Sequence, residues 1–217
     1  NITNAGVMEN DNGYPRYPEF NGKFINNGTI KNNNSGYINV QLKNDLQNNG
    51  IYKPAYTQLK TNNPILLSQG PNAYFEGTFE SYDTLNVIQL ASDITFKKAT
   101  LNGQNTQPYS TIKTNGFALK LDSCKLYEWQ INSNDTVDFN GTKAANIFFI
   151  NSPSLDGAIT LEGNMTFTNK ATILGTITNQ SGYGRYLYFL GDLKNEGEIS
   201  SNASGYLYVD AFGSILN

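Results

Sequence analysis

The residue types that usually carry enzyme chemistry are thinly spread in this chain, and histidine is missing altogether. Its absence excludes Ser-His-Asp and Cys-His hydrolysis, histidine-ligated zinc and most imidazole acid/base schemes. Carboxylates and amines remain. Lys120 stands between Leu119 and Leu121, and Asp138 between Val137 and Phe139. In strands whose apolar residues point inward, both charges point out. Stacked one coil apart, they form either an acid and a base or the commoner arrangement, a surface ion pair across neighbouring strands. One carboxylate does not make the paired-carboxylate site of a glycosidase. Glu162 sits beside Gly163 in a turn, Asp156 lies near it, and Arg16 and Arg185 are the two guanidinium groups. No catalytic residue is assigned.

The run Glu9-Asn10-Asp11-Asn12-Gly13 offers oxygen ligands, but its spacing departs from the calcium-binding loop of EF-hands and from the Asp-bearing nonapeptide. It is assigned as a polar turn, and no metal or cofactor is assigned. The single cysteine, Cys124, is expected to be a buried, inert thiol.

The constellation that stands out is aromatic. Tyr186-Leu187-Tyr188-Phe189 and Tyr206-Leu207-Tyr208-Val209 are 20 residues apart. If Leu187, Phe189, Leu207 and Val209 point inward, then Tyr186, Tyr188, Tyr206 and Tyr208 all point outward, with Phe148 and Thr166 continuing the row. Tyrosine rings give flat apolar surface with a polar rim, suited to sugar rings or to a protein partner. The competing reading is a cross-strand aromatic ladder that only stabilises the sheet.

The elements that position these rings follow from a repeat. GKFINNGTIKNNNSGYINV, Gly22 to Val40, and GDLKNEGEISSNASGYLYV, Gly191 to Val209, align without a gap. Gly, Asn, Gly, Ile, Asn, Ser, Gly, Tyr and Val recur at matching positions. Beyond Phe117, inward residues form three tracks in steps of 18 to 22 residues. One runs Leu119/Leu121, Val137/Phe139, Ile159/Leu161, Ile177, Ile199; a second Ile147/Phe149, Met165/Phe167, Leu187/Phe189, Leu207/Val209; a third Leu155, Ile173, Leu193, Ile215. Three tracks with one step predict three short strands per coil, stacked in parallel about 4.8 Å apart. The fold class expected is all-β, a right-handed parallel β-helix (solenoid), with an antiparallel sandwich or barrel as the rival. Residues 1–21 are expected to be loop-like, with a coil remnant at Ile2 to Gly6. Upstream alternation is expected at Phe75, Phe79, Leu85, Val87, Ile94 and Phe96, and residues 43–72, with Pro54, Pro64 and Pro71, as an irregular insertion outside the stack. The whole chain, 1–217, is expected to be one domain cut from a longer protein, open to end-to-end continuation with further coils.

Charged residues make up 15% of the chain and hydrophobic residues 38%, while asparagine alone contributes 32 positions. That diet suits turns and solvated strand faces rather than helices. The net charge of −3, without a Lys/Arg cluster, gives no footprint for nucleic acid. No run approaches the roughly 20 apolar residues of a membrane-spanning helix.

The pattern Gly-x-Phe/Leu-x-Asn-x-Gly-x-Ile with Asn/Ser/Gly turns resembles the coils of secreted bacterial β-helix surface proteins, the filamentous-haemagglutinin-like adhesins. The resemblance covers residues 22–40 and 117–215. It implies an exported bacterial protein, secreted or held at the cell surface, and carries over no catalytic residue. The function expected is a binding module whose contact surface is Tyr186, Tyr188, Tyr206 and Tyr208, with a host or environmental glycan or surface protein as partner. The alternative is a polysaccharide lyase or glycoside hydrolase on the same scaffold.

Overall fold

The computed structural model describes residues 1–11, 13–33, 36–82, 86–104, 109–202 and 205–217. The chain winds through three sheets in strict rotation, and every third strand joins the same sheet. Among the described residues, two sheets have eleven strands and one has ten, and the strands of each sheet pair in parallel. The first sheet begins at Ile2–Asn4 and Phe24–Asn26, the second at Val7–Asn10 and Thr29–Asn32, and the third at Glu19–Phe20 and Asn39–Leu42. The fold is therefore a parallel β-helix with three strands per coil.

Alternation along each strand sends Ile, Leu, Val and Phe into a single continuous core. Identical side chains stack where the sequence allows. Phe149, Phe167 and Phe189 form a column with ring centroids 4.8 and 4.7 Å apart and planes 5° and 4° from parallel. No coil could bury these faces alone; each is covered by the next.

The corners are built from asparagine and glycine. Asn4 Nδ2 donates to Asn26 Oδ1 at 2.8 Å, and Asn26 Nδ2 donates to Asn48 Oδ1 at 2.8 Å and to the Ile51 carbonyl at 3.0 Å. Buried amides thus satisfy one another up the stack. Two residues on, Gly6, Gly28 and Gly50 pack so closely that a Cβ on Gly28 would lie 2.0 Å from the Gly6 carbonyl oxygen. Only glycine allows that approach.

The internal repeat extends further than its best-matched core. Residues 1–48 and 170–217 align without a gap, with 18 identities in 48 positions, among them Asn10/Asn179, Tyr14/Tyr183, Arg16/Arg185, Tyr17/Tyr186 and Tyr37/Tyr206. Their hydrogen bonds also correspond. Asn10 Nδ2 donates to the carbonyls of Tyr14 and Tyr37, and Asn179 Nδ2 to those of Tyr183 and Tyr206. Yet the copies occupy different faces: Phe24–Asn26 lies in the first sheet and its counterpart Leu193–Asn195 in the second. The two-coil unit recurs rotated by one third of a turn, so the three corners are near-equivalent in what they ask of the sequence.

Several expectations need correction. Residues 43–72 are part of the stack, with strands at Leu46–Asn48, Ile51–Lys53, Tyr56–Leu59 and Ile65–Gln69 in register with their neighbours. Tyr52 and Thr57 point inward there and hydrogen-bond to each other at 2.9 Å, so polar core residues hid the alternation. Residues 1–21 likewise contribute strands to all three sheets. Val87 points outward, half-buried, while Ile88 and Leu90 fill the core; Leu85 lies outside the described residues.

The first track joins two sheets: Val137 stacks on Leu155 in the second, whereas Ile159 and Leu161 stack on Thr142 and Ala144 in the third. Thr142 and Ala144 are inward but small, and a search for large apolar residues passes over them. Leu187 pairs with Val209 rather than Leu207, and Leu193 pairs with Ala171 rather than Ile173. Both slips are of two residues, which keeps every side chain on its expected face. Ile177, Leu187, Leu193 and Ile173 are buried, while Ile199 and Leu207 are half-buried against the core.

Candidate functional site

The outer face of the first sheet carries the tyrosines. Register places Phe148, Thr166, Tyr188 and Asp210 in one row across adjacent strands, and Tyr186 beside Tyr208 in the next. The row through Phe148 and Thr166 is as the alternation predicts; the pairing of tyrosines is shifted by the two-residue slip. Tyr186 is the middle member of three near-parallel rings, 5.5 Å from Tyr188 and 4.7 Å from Tyr208. Tyr206 tilts against Tyr208 at 6.2 Å. A cross-strand aromatic ladder therefore exists, and Tyr186 is its core. Tyr206 is 71% and Tyr208 44% exposed, whereas Tyr186 and Tyr188 are half-buried.

Toward the middle of the solenoid the ladder ends at a cleft of about 440 Å³. One wall is Tyr188. The other is Phe148 with Tyr109 stacked on it, centroids 4.4 Å apart. Thr166 lies between Phe148 and Tyr188, so a small side chain leaves an opening two strand spacings wide, roughly 10 Å.

The cleft's polar edge comes from the corner between the third and first sheets. Glu128 and Asn146 are single-residue corners with φ of 60° and 55°, the left-handed region that asparagine tolerates better than most residues. Asn146 Nδ2 donates to Glu128 Oε1 at 2.6 Å, Asn164 N to Asn146 Oδ1 at 3.3 Å, and Tyr186 N to Asn164 Oδ1 at 3.1 Å. These bonds hold Asn146 and Asn164 at the rim. Sequence reasoning missed Tyr109, Asn146 and Asn164. Tyr109 precedes its strand and breaks the alternation; the corner residues share only a position just before each strand of the first sheet.

The charged candidates are ion pairs. Lys120 Nζ lies 3.1 Å from Asp138 Oδ2 on the outer face of the second sheet. The hydrogen bond to Asp138 holds the Lys120 amine above its ordinary range, so it stays protonated. Glu162 accepts from Lys143 Nζ at 2.9 Å and from the Tyr127 hydroxyl at 2.6 Å. Those bonds, Tyr127 first, hold its carboxyl below the usual range, while burial and then Glu162 push the Tyr127 phenol up to about 12. The trio keeps the proton on the phenol, opposite to what a tyrosine base needs. Asp156 is exposed and accepts from Gly157 N.

Arg185 lies across the sheet from Leu207 and 5.8 Å from the Tyr183 ring, and Arg16 is exposed. Glu9 pairs with Lys31, and Asn33 donates to Asp11; Asn12 is outside the described residues. Cys124 is buried, donates to the Phe96 carbonyl, and has its thiol pushed up to about 11, chiefly by burial. Compared with known proteins, the chain matches no family model, no curated protein and no solved structure.

Proposed function

We propose that the chain is a glycan-binding module of an exported bacterial surface protein, and that it takes uncharged sugar at the Phe148–Tyr188 cleft and along Tyr208 and Tyr206. One observation carries the reading: two aromatic walls stand two strands apart over Thr166, with Asn146 and Asn164 at the edge. Rings that face a sugar cover its C–H surface, and amides and hydroxyls pair with its hydroxyl groups. The ladder holds Tyr188 in place before any ligand arrives, which lowers the ordering cost of binding. The secreted or cell-surface setting, and a role as an adhesin, are supported by the asparagine-rich, charge-poor coils and by their resemblance to β-helix adhesins.

A glycan array, run with reducing-end and unsaturated-uronate assays on each bound glycan, tests the proposal. Binding without release of new ends is expected. Turnover of a bound polysaccharide would replace this reading with the lyase or hydrolase alternative, and no binding to any glycan would end it.

A further inference from the structure

We infer that the outer face of the third sheet, at the other end of the solenoid, holds a second glycan site, which makes the protein bivalent. The inference rests on the glycan reading proposed for the first sheet. It begins from the repeat. Tyr17 corresponds to Tyr186 across the 169-residue offset, and the third-of-a-turn rotation carries it from the first sheet to the third. Tyr17 borders a cleft on the side facing the middle of the molecule, although the repeat sets Glu19, not a ring, at the position of Tyr188.

This second cleft has a volume of about 340 Å³. Its floor is a row of outward polar side chains in register, Gln41, Gln58 and Glu80. Gln41 Nε2 donates to Gln58 Oε1 at 3.2 Å, and Gln58 Nε2 to Glu80 Oε2 at 3.4 Å. Tyr17 and Tyr56, 56% and 38% exposed, form one rail. Tyr82, with the Lys60 ammonium 4.2 Å from its ring centroid, forms the other.

Asn39, which also lines the cleft, is only 6% exposed, yet its Oδ1 has no hydrogen-bond partner among the described residues. A buried acceptor left unpaired is costly unless something donates to it. The oxygen itself is covered, so a sugar hydroxyl pairs with it only when the Asn39 side chain turns toward the cleft. The charges nearby balance: Lys60 and Glu80 both line the cleft, and Lys43 is paired with Glu19 at 2.7 Å. A neutral polyhydroxyl chain fits better than an anionic or cationic one. Because the strands stack at about 4.8 Å, the rails run along the solenoid axis, and an extended chain can lie between them.

Two sites on different faces cannot engage one stiff chain side by side; they join two chains, and retention on a multivalent surface then exceeds that of either site alone. Titration calorimetry with cellohexaose, mannohexaose and xylohexaose tests the inference. For a hexasaccharide that binds, two equivalents per chain are expected. Tyr17→Ala/Tyr56→Ala and Tyr188→Ala/Tyr208→Ala should each leave one, and all four changes none. Gln41→Ala/Gln58→Ala, which spares the rings, should weaken the third-sheet site about tenfold or more. A single equivalent, lost with Tyr188→Ala/Tyr208→Ala and untouched by Tyr17→Ala/Tyr56→Ala, overturns the inference and leaves the first-sheet site standing. A single equivalent with the opposite dependence overturns the bivalency and the first-sheet site and leaves the third-sheet site alone, and uptake of no probe overturns both.

Discussion

Tyr186 stacks on Tyr208 with ring centroids 4.7 Å apart and planes 14° from parallel, not on Tyr206 as a uniform 20-residue step would place it. The stack divides the labour among the tyrosines. Tyr186 has neighbours in Tyr188 and Tyr208, so Tyr186→Ala should cost stability, about 0.5–1.5 kcal/mol for the lost ring contacts. Tyr206→Ala, at an exposed tip, should leave the melting temperature nearly unchanged. Thermal melts of the two variants check the contrast.

Glycine at the corners is demanded by space. A Cβ on Gly197 would lie 2.0 Å from the Gly175 carbonyl oxygen, as one on Gly28 would from Gly6, whereas Gly6 has nothing within 4 Å. Gly197→Ala and Gly28→Ala should each destabilise by about 1–3 kcal/mol or more, and Gly6→Ala by much less. Chemical denaturation of the three variants is the measurement.

The asparagine ladder makes a sharper demand. Asn26 is fully buried, accepts from Asn4 and donates to Asn48 and to the Ile51 carbonyl. Asn26→Asp keeps the shape but removes both donors and introduces a buried charge, so it should destabilise more than Asn26→Ala. Equal melting temperatures for the two variants would contradict this account of the corner.

Glu162 links stability to pH. Its carboxyl is held below its ordinary value of 4.5, first by the hydrogen bond from Tyr127 and then by that from Lys143. A depressed pKa stabilises the fold above the unfolded-state value, and the contribution is lost as pH falls through the folded value. The pair is part-exposed, so Glu162→Gln should cost no more than about 1 kcal/mol near neutrality. The gap from the wild type should close below pH 4.5. Tyr127 moves the opposite way: its raised pKa stabilises below the ordinary value of 10.0 and is lost as pH rises through about 12. Absorbance titration should show two tyrosines ionising late, Tyr127 and the fully buried Tyr52, and Tyr127→Phe should remove one of the two.

The fold was legible where large apolar residues alternate, as in Met165–Phe167 and Arg185–Phe189, because a side-chain period of two with one step per coil leaves few other arrangements. It was not legible where the core is small or polar, at Thr142, Ala144, Tyr52 and Thr57. Register errors of two residues are silent in sequence because they preserve the face. The tyrosine face was found for that reason even though its pairing was not. The third-sheet cleft was hidden, since Tyr17, Tyr56 and Tyr82 come from different coils and share no motif.

The central claim is that the rings at the ends of the Tyr186 stack take part in glycan binding. Retention on a polysaccharide bound by the wild type, measured by affinity electrophoresis with the Tyr17 and Tyr56 positions changed to alanine in both samples, isolates the first-sheet site. Adding Tyr188→Ala and Tyr208→Ala should abolish retardation while the circular dichroism spectrum keeps its β-helix form and the melt stays cooperative, at a temperature lowered by the same lost ring contacts as in Tyr186→Ala. Undiminished retardation of that folded variant would contradict the claim.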